Sequence, residues 1–115
     1  VNPTDFFKCL ADDTRLKILL MILREQELCV CELMAALADS QPKISRHLAL
    51  LKKNNLVSTS KQRQWVYYRL SPQLPNWCRT ALEECAVNNS EFTADNLQKL
   101  KLMGDRPERI QNCCH

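Results

Sequence analysis

A chain of 115 residues has the size of one domain, with room for a modest core and not for two independent ones. A single glycine, a 45% hydrophobic fraction and only 6% aromatic residues exclude a turn-rich sandwich and favour helices, since hairpins and sandwich corners consume glycine. The formal charge of +3 is small, no apolar run has the length of a membrane helix, and no charged-then-apolar leader is present, which predicts a cytoplasmic protein.

In chain order, Phe6, Phe7 and Leu10 define a short apolar helix, and Asp12 or Asp13 caps the next. That second helix spans about residues 14–24. Leu16, Leu19, Leu20 and Leu23 set its core stripe, and Ile18 and Ile22 thicken it until little polar circumference remains, which predicts a central position. After a break over residues 25–28, Val30, Leu33, Met34 and Leu37 make a two-turn third helix, and Ala38 and Asp39 turn the chain. Ser40 caps a fourth helix with Pro42 in its first turn, where the missing N–H costs little. Ile44, Leu48 and Leu51 form its docking stripe, and Lys43, Arg46 and His47 fall on the opposite side.

Asn54-Asn55 suits a helix stop in left-handed geometry. Residues 56–60 and 65–70 read as strands, with Val66, Tyr68 and Leu70 on one face of the second and Trp65, Tyr67 and Arg69 on the other; Lys61-Gln62-Arg63-Gln64 joins them. Ser71-Pro72 opens a fifth helix carrying Leu74, Trp77, Cys78, Ala81, Leu82 and Cys85 and ending near Asn88-Asn89. A sixth covers about residues 92–103 and stops at Gly104. These elements divide the chain into a domain over residues 1–104 and a cysteine-containing tail over 105–115. The fold class is mostly α with a two-stranded wing, a winged helix-turn-helix in the order α-α-α-α-β-β-α-α. The first helix and the Trp77 stripe leave more apolar surface than one subunit hides, so the expected state is a homodimer.

The distribution of charge says more than its total. Residues 40–82 hold eight basic side chains (Lys43, Arg46, Lys52, Lys53, Lys61, Arg63, Arg69, Arg79) and no Asp or Glu, whereas the flanks hold eight basic against thirteen acidic. A solvated face mixes signs, so a carboxylate-free run favours a phosphate partner. Set on the second helix of a helix-turn-helix and on a hairpin tip, these cations suit the major groove and flanking phosphates of double-stranded DNA.

The block ELCVCELMAALADSQPKISRHLALLKKNNLVSTSKQRQWVYYRLSP closely resembles the ArsR/SmtB family of winged-helix, metal-responsive bacterial repressors, and within it the arsenic-sensing branch. The resemblance covers about residues 6–77, and its Cys-Val-Cys and Gln-Pro-Lys-Ile-Ser-Arg-His-Leu elements are the specific ones. It implies a homodimer that sits on operator DNA and dissociates when a metal or metalloid binds. It further implies that Gln41, Lys43, Ser45, Arg46 and His47 face the groove and that Lys61, Arg63 and Gln64 form the wing, where the family usually has glycine in place of Arg63.

Seven cysteines, an odd number without an export signal, argue for thiols rather than a disulfide framework. Cys29 and Cys31 are two apart, a spacing that points side chains nearly opposite ways within a helix and the same way in an extended segment. Chelation by both therefore requires a helix start. The stripe that begins at Val30 permits one, and a helix start also favours thiolates. In the arsenic-sensing branch a third cysteine follows such a pair after two residues; here Met34 stands in that place, and a thioether substitutes poorly for a thiolate. Two effector classes stay open. Inorganic arsenite or antimonite would be held by these two thiolates, alone or with a cysteine from elsewhere; methylarsenite needs only two, because its carbon fills one position. Cys113 and Cys114 form a second candidate metal pair on the tail, able to close over a metal with Cys9 or a partner subunit, or inert. Cys78 and Cys85 lie on an apolar stripe and read as core filler. Zinc-sensing family members use paired His and carboxylates on the dimer helix; this one offers Glu83 and Glu84 but no His.

The resulting expectation is a metalloid-responsive transcriptional repressor that leaves its operator when trivalent arsenic or antimony binds cysteine thiolates, with no organic cofactor and no membrane partner. The alternative keeps the DNA binding and replaces the signal by thiol oxidation. A metallochaperone or thiol oxidoreductase would leave the cationic segment without a role. The sequence offers no nucleophile with a paired base and no phosphate-cradling glycines, so catalysis is not expected.

Overall fold

The computed structural model describes residues 1–105 and Arg109. Asn2 starts the fold: its side chain accepts from the Asp5 N–H at 3.1 Å, and Pro3 opens α1 (Pro3–Leu10) where its missing donor is harmless. Asp12, rather than Asp13, caps α2 (Asp13–Glu25) by accepting from the Arg15 N–H at 3.0 Å. Ile18, Leu19, Leu20, Met21 and Ile22 are all buried, five consecutive positions and hence more than one full turn. A helix covered all round is a central one, and α1, α4, α5 and a wing strand all pack against it. The elements that follow are β1 (Leu28–Cys29), α3 (Val30–Leu37), α4 (Gln41–Lys53), β2 (Val57–Gln62), β3 (Trp65–Leu70), α5 (Asn76–Asn88), a short 3-10 turn (Ser90–Phe92) and α6 (Ala94–Leu102). Leu33, Ile44, Leu48, Leu51, Leu56 and Leu82 close the single main core, each fully buried. At ~1.5–3 kcal/mol per buried aliphatic side chain, that core outweighs any polar contact below.

The turn between α3 and α4 is built by Ala38, in left-handed geometry at φ 53°, with the Asp39 N–H donating back to the Met34 carbonyl. Ser40 stands at the N-cap of α4 in extended geometry, but its side chain makes no capping bond; Asp39 Oδ1 instead accepts from the Ser40 N–H at 2.9 Å. At the other end of α4, Asn55 takes the expected left-handed conformation, φ 63°.

The wing strands pair from Val57↔Leu70 to Gln62↔Trp65, so β2 runs two residues beyond the expected 56–60 and the turn shrinks to Arg63-Gln64. Arg63 holds φ 60°, a conformation glycine adopts freely and other residues adopt at ~1–2 kcal/mol. Arg63→Gly is expected to raise unfolding stability by up to about 1 kcal/mol while lowering the salt dependence of DNA binding by about one phosphate contact per subunit. Denaturant melts and a salt titration of binding measure the two halves separately. A drop in stability would remove the strain argument.

Other boundaries differ from the sequence reading as well. The fifth helix begins at Asn76 instead of Ser71, because Pro72 and Pro75 both lie in a turn that Ser71 organises: its Oγ accepts from the Gln73 N–H and its carbonyl from the Leu74 N–H and the Arg79 guanidinium. The break over residues 25–28 contains more than a break. Gln26 ends α2 at φ 75°, and Leu28 and Cys29 form a two-residue strand antiparallel to β3, with Leu28↔Tyr68 and Cys29↔Tyr67. The sheet therefore has three strands in the order β1-β3-β2. Two residues are too few for an alternating pattern, which is why sequence alone passes over β1. Gly104, φ 92°, sits one residue beyond the Met103 cap of α6, the left-handed position that ends a helix. No described helix is long and apolar enough to cross a membrane.

Candidate nucleic-acid interface and thiol sensor

On α4, Gln41, Lys43 and Arg46 are exposed, while Ser45 and His47 are half-buried. Lys61, Arg63 and Gln64 are exposed at the wing tip, so all eight expected contact residues lie on the helix or the hairpin assigned to them. The linear cationic run is partly neutralised in space by carboxylates from outside it. Asp39 Oδ1 lies 3.9 Å from Lys43 Nζ, and Glu27 Oε2 lies 3.6 Å from Arg69. Glu27 also accepts from the Gln62 side-chain amide at 3.2 Å, bracing the base of the wing.

Arg15 is a member of this surface that sequence reasoning missed. Its Nε donates to the Cys9 carbonyl at 2.9 Å, and one guanidinium nitrogen lies 3.5 Å from His47 Nδ1 and 4.0 Å from the Asp12 carboxylate. It thus ties the end of α1 and the start of α2 to α4. The Asp12 carboxyl is held below the usual carboxylate range, first by the Arg15 N–H that it accepts, with the Arg15 and His47 charges adding. Arg15, Lys43, Arg46, His47 and Leu50 line one notch, and a cluster of two arginines and a lysine is the kind of donor set that suits a phosphate. The only signal in the sequence was an arginine three residues after a capping aspartate.

The thiol pair is placed by the strand that sequence did not reveal. Cys29 is at once the last residue of β1, opposite Tyr67, and the N-cap of α3, extended at φ −93°, ψ 169°. Cys31 sits in the first turn. The helix-start geometry that two-residue spacing requires for joint chelation is therefore present. Cys29 and Glu32 form a capping box: the thiol faces the Glu32 N–H, and Glu32 Oε1 accepts from the Cys29 N–H at 2.9 Å. Glu32 is fully buried, and such a carboxylate needs a counter-charge; Arg109 supplies it, its guanidinium meeting both Glu32 and, at 3.4 Å, Glu25. Cys29 and Tyr67 make a small buried cluster of their own, with half-buried Cys31 and Trp65 packed against it.

The remaining cysteines separate cleanly. Burial pushes the Cys78 thiol up, and it pushes Cys9 up against the opposing charge of Arg15, so both are held protonated and inert. Cys85 packs half-buried against the main core. The core-filler reading of Cys78 and Cys85 agrees with this placement, and Cys9 is buried in the same core. Cys113 and Cys114 lie outside the described residues. Among the described residues no group of three or more His, Cys, Asp and Glu side chains is placed to hold a metal ion. Met34 lies one turn along α3 from Cys31, lining the same groove.

A helix-turn-helix with an exposed cationic reading helix and a basic hairpin beside it defines a winged helix-turn-helix DNA-binding regulator. The family described as bacterial regulatory protein, arsR family, matches residues 12–59. An arsenic resistance transcriptional regulator of Pseudomonas putida is 52% identical over 114 residues, 99% of each chain. The chain belongs to the arsR family. It is also similar to the arsenical resistance operon repressor of Escherichia coli, 46% identical over 106 residues, 90% of this chain and 91% of that one. Among solved structures, HlyU from Vibrio cholerae superposes with a TM-score of 0.68 at 36% identity, covering 76% of this chain and 90% of its own. The protein is accordingly a transcriptional regulator and not an enzyme.

Proposed function

We propose that this protein is a metalloid-responsive repressor which binds operator DNA as a homodimer and leaves it when trivalent arsenic or antimony binds Cys29 and Cys31. The observation that carries the reading is the double role of Cys29, paired to the wing strand through Tyr67 and capping the helix that braces α4. Bond formation at that sulfur removes the thiol from the cap and pulls on both DNA-contacting elements together. The effectors named for the relatives, arsenic and arsenicals, suit such a pair, because a soft trivalent metalloid prefers thiolates.

The dimer is built on α1 and α5. Phe6 meets Trp77 edge-to-face at 5.1 Å and Phe7 at 5.2 Å, yet Phe7 stays 55% and Trp77 42% exposed. An aromatic patch of this kind favours a second copy, and two-fold symmetry presents two copies of α4 to two half-sites. Reading is by Gln41, Lys43, Ser45, Arg46 and His47 in the major groove, with Lys61, Arg63 and Gln64 on flanking phosphates.

For inorganic arsenite the third thiolate comes from Cys113 or Cys114, whereas methylarsenite is complete with two. The test is release of the full-length protein from an operator duplex by arsenite and by methylarsenite, on wild type and on Cys113→Ser/Cys114→Ser. The serine variant is expected to need at least ~10-fold more arsenite and an unchanged amount of methylarsenite. Equal arsenite response in both proteins removes the tail from the site. Failure of either arsenical to release wild type ends the metalloid reading.

A further inference from the structure

On α3, Met34 and Ala35 stand three and four residues after Cys31 and so share its helix face, which Ala38 continues at the left-handed cap. That face forms one wall of a groove of about 710 Å3 whose other wall is Leu102 and Met103 at the end of α6. This size falls in the ~300–1,000 Å3 range of small-molecule sites. The small side chains of Ala35 and Ala38 leave the groove open, and the lining is apolar or sulfur-bearing apart from Asp39 at its edge. The buried amide of Asn96 fixes the spacing of the two walls by donating to the Ala36 carbonyl at 3.0 Å. Leu102, 76% exposed, is a large apolar side chain left in solvent at the rim. Cys31 thus has two neighbourhoods: it packs on the Cys29–Tyr67 cluster and lines this groove.

We propose that the α3–α6 groove receives the carbon substituent of a trivalent organoarsenical held by Cys29 and Cys31, with aryl groups bound better than methyl. This rests on the thiol-pair reading above and adds the ligand class. The step is a ligand exchange at arsenic: R–As(OH)2 reacts with two thiols, two As–O bonds break, two As–S bonds form, and the thiol protons leave in two molecules of water. Arsenic stays trivalent, so no oxidant or reductant is needed. The As–C bond persists and must project from the thiol pair. The groove walled by Cys31 is the apolar space adjoining it, and Met34, where a third thiol would complete an inorganic site, offers the substituent a soft, adaptable contact.

Filling the groove tests this. Ala35 is exposed on α3 and is none of the residues assigned to the DNA, so Ala35→Trp is expected to bind the operator duplex like wild type. Release is then followed with phenylarsine oxide and with arsenite, on wild type, Ala35→Trp and Cys31→Ser. The expected result is that Ala35→Trp needs at least ~10-fold more phenylarsine oxide while its arsenite response moves less than ~2-fold, and that Cys31→Ser responds to neither. If Ala35→Trp treats both arsenicals as wild type does, or loses both equally, the groove does not take the substituent, whereas the thiol pair stands as long as Cys31→Ser is unresponsive. If Cys31→Ser still releases with both, the thiol-pair reading itself has failed.

Discussion

Cys31→Ser is expected to hold its operator as wild type does and to lose release by arsenicals. The substitution changes one atom, on a half-buried side chain of α3 that is none of the residues assigned to the DNA. The companion variant Cys29→Ser is more informative still, because Cys29 serves as the N-cap of α3 and serine is among the preferred N-cap residues. Folding and the capping box are therefore retained while the soft ligand is lost. At metal sites even a supporting partner of a ligand is worth ~10–100-fold, so removing a ligand from a two-thiol site should raise the arsenical needed for half-release by at least ~100-fold. A gel-shift or anisotropy titration with methylarsenite reads both quantities on one sample. Normal release by both serine variants would transfer the sensor to Cys113 and Cys114. A loss of operator binding would instead make the thiols structural.

Arg46→Ala carries the second large effect, on the output side. Arg46 is exposed on the outer face of α4, whereas Lys43 beside it already shares its charge with Asp39 at 3.9 Å. A base-edge contact by Arg46 makes the loss about 1–3 kcal/mol per half-site; a phosphate contact makes it smaller and sequence-independent, with the salt slope reduced by about one per subunit. Binding isotherms at several salt concentrations, on operator and on scrambled duplex, distinguish the two. Lys43→Ala should cost less, since its removal leaves Asp39 only lightly disturbed at the surface. Full affinity in Arg46→Ala would mean that α4 does not enter the groove.

The helices were legible because their signals are long. The apolar spacing of Leu16 to Leu23 and the stripe of Ile44, Leu48 and Leu51 each repeat over about two turns and each marks a helix in the structure, while the lone Gly104 marks where one stops. The wing was legible because Val57 and Leu70 bracket two runs of strand-forming residues around a polar turn. What was not legible depends on single contacts between distant residues. β1 exists because Tyr67 and Tyr68 lie alongside Leu28 and Cys29, almost forty residues away. Arg15 joins the reading surface through His47, and Glu32 is buried because Arg109 reaches it. The pairing of Asp39 with Lys43 and Glu27 with Arg69 likewise altered the cationic run, which in sequence contains no carboxylate. The thiol pair lies between these cases: its spacing raised the requirement for a helix start, and only the fold could place one there.

On the proposed thiol-pair reading, the two-residue strand also sets a ceiling on how loudly the switch can speak. The thiol pair meets the wing through a ladder of two residue pairs and the packing of Cys29 on Tyr67, and Cys29 holds the start of α3 through one capping box. Contacts of these kinds are worth about 1 kcal/mol each, so disturbing them supplies a coupling of ~1–3 kcal/mol per subunit, a ~5–150-fold change in affinity. A repressor wired this way has a modest dynamic range in each subunit, and a graded dose response becomes a steep one only if both copies in a dimer release together.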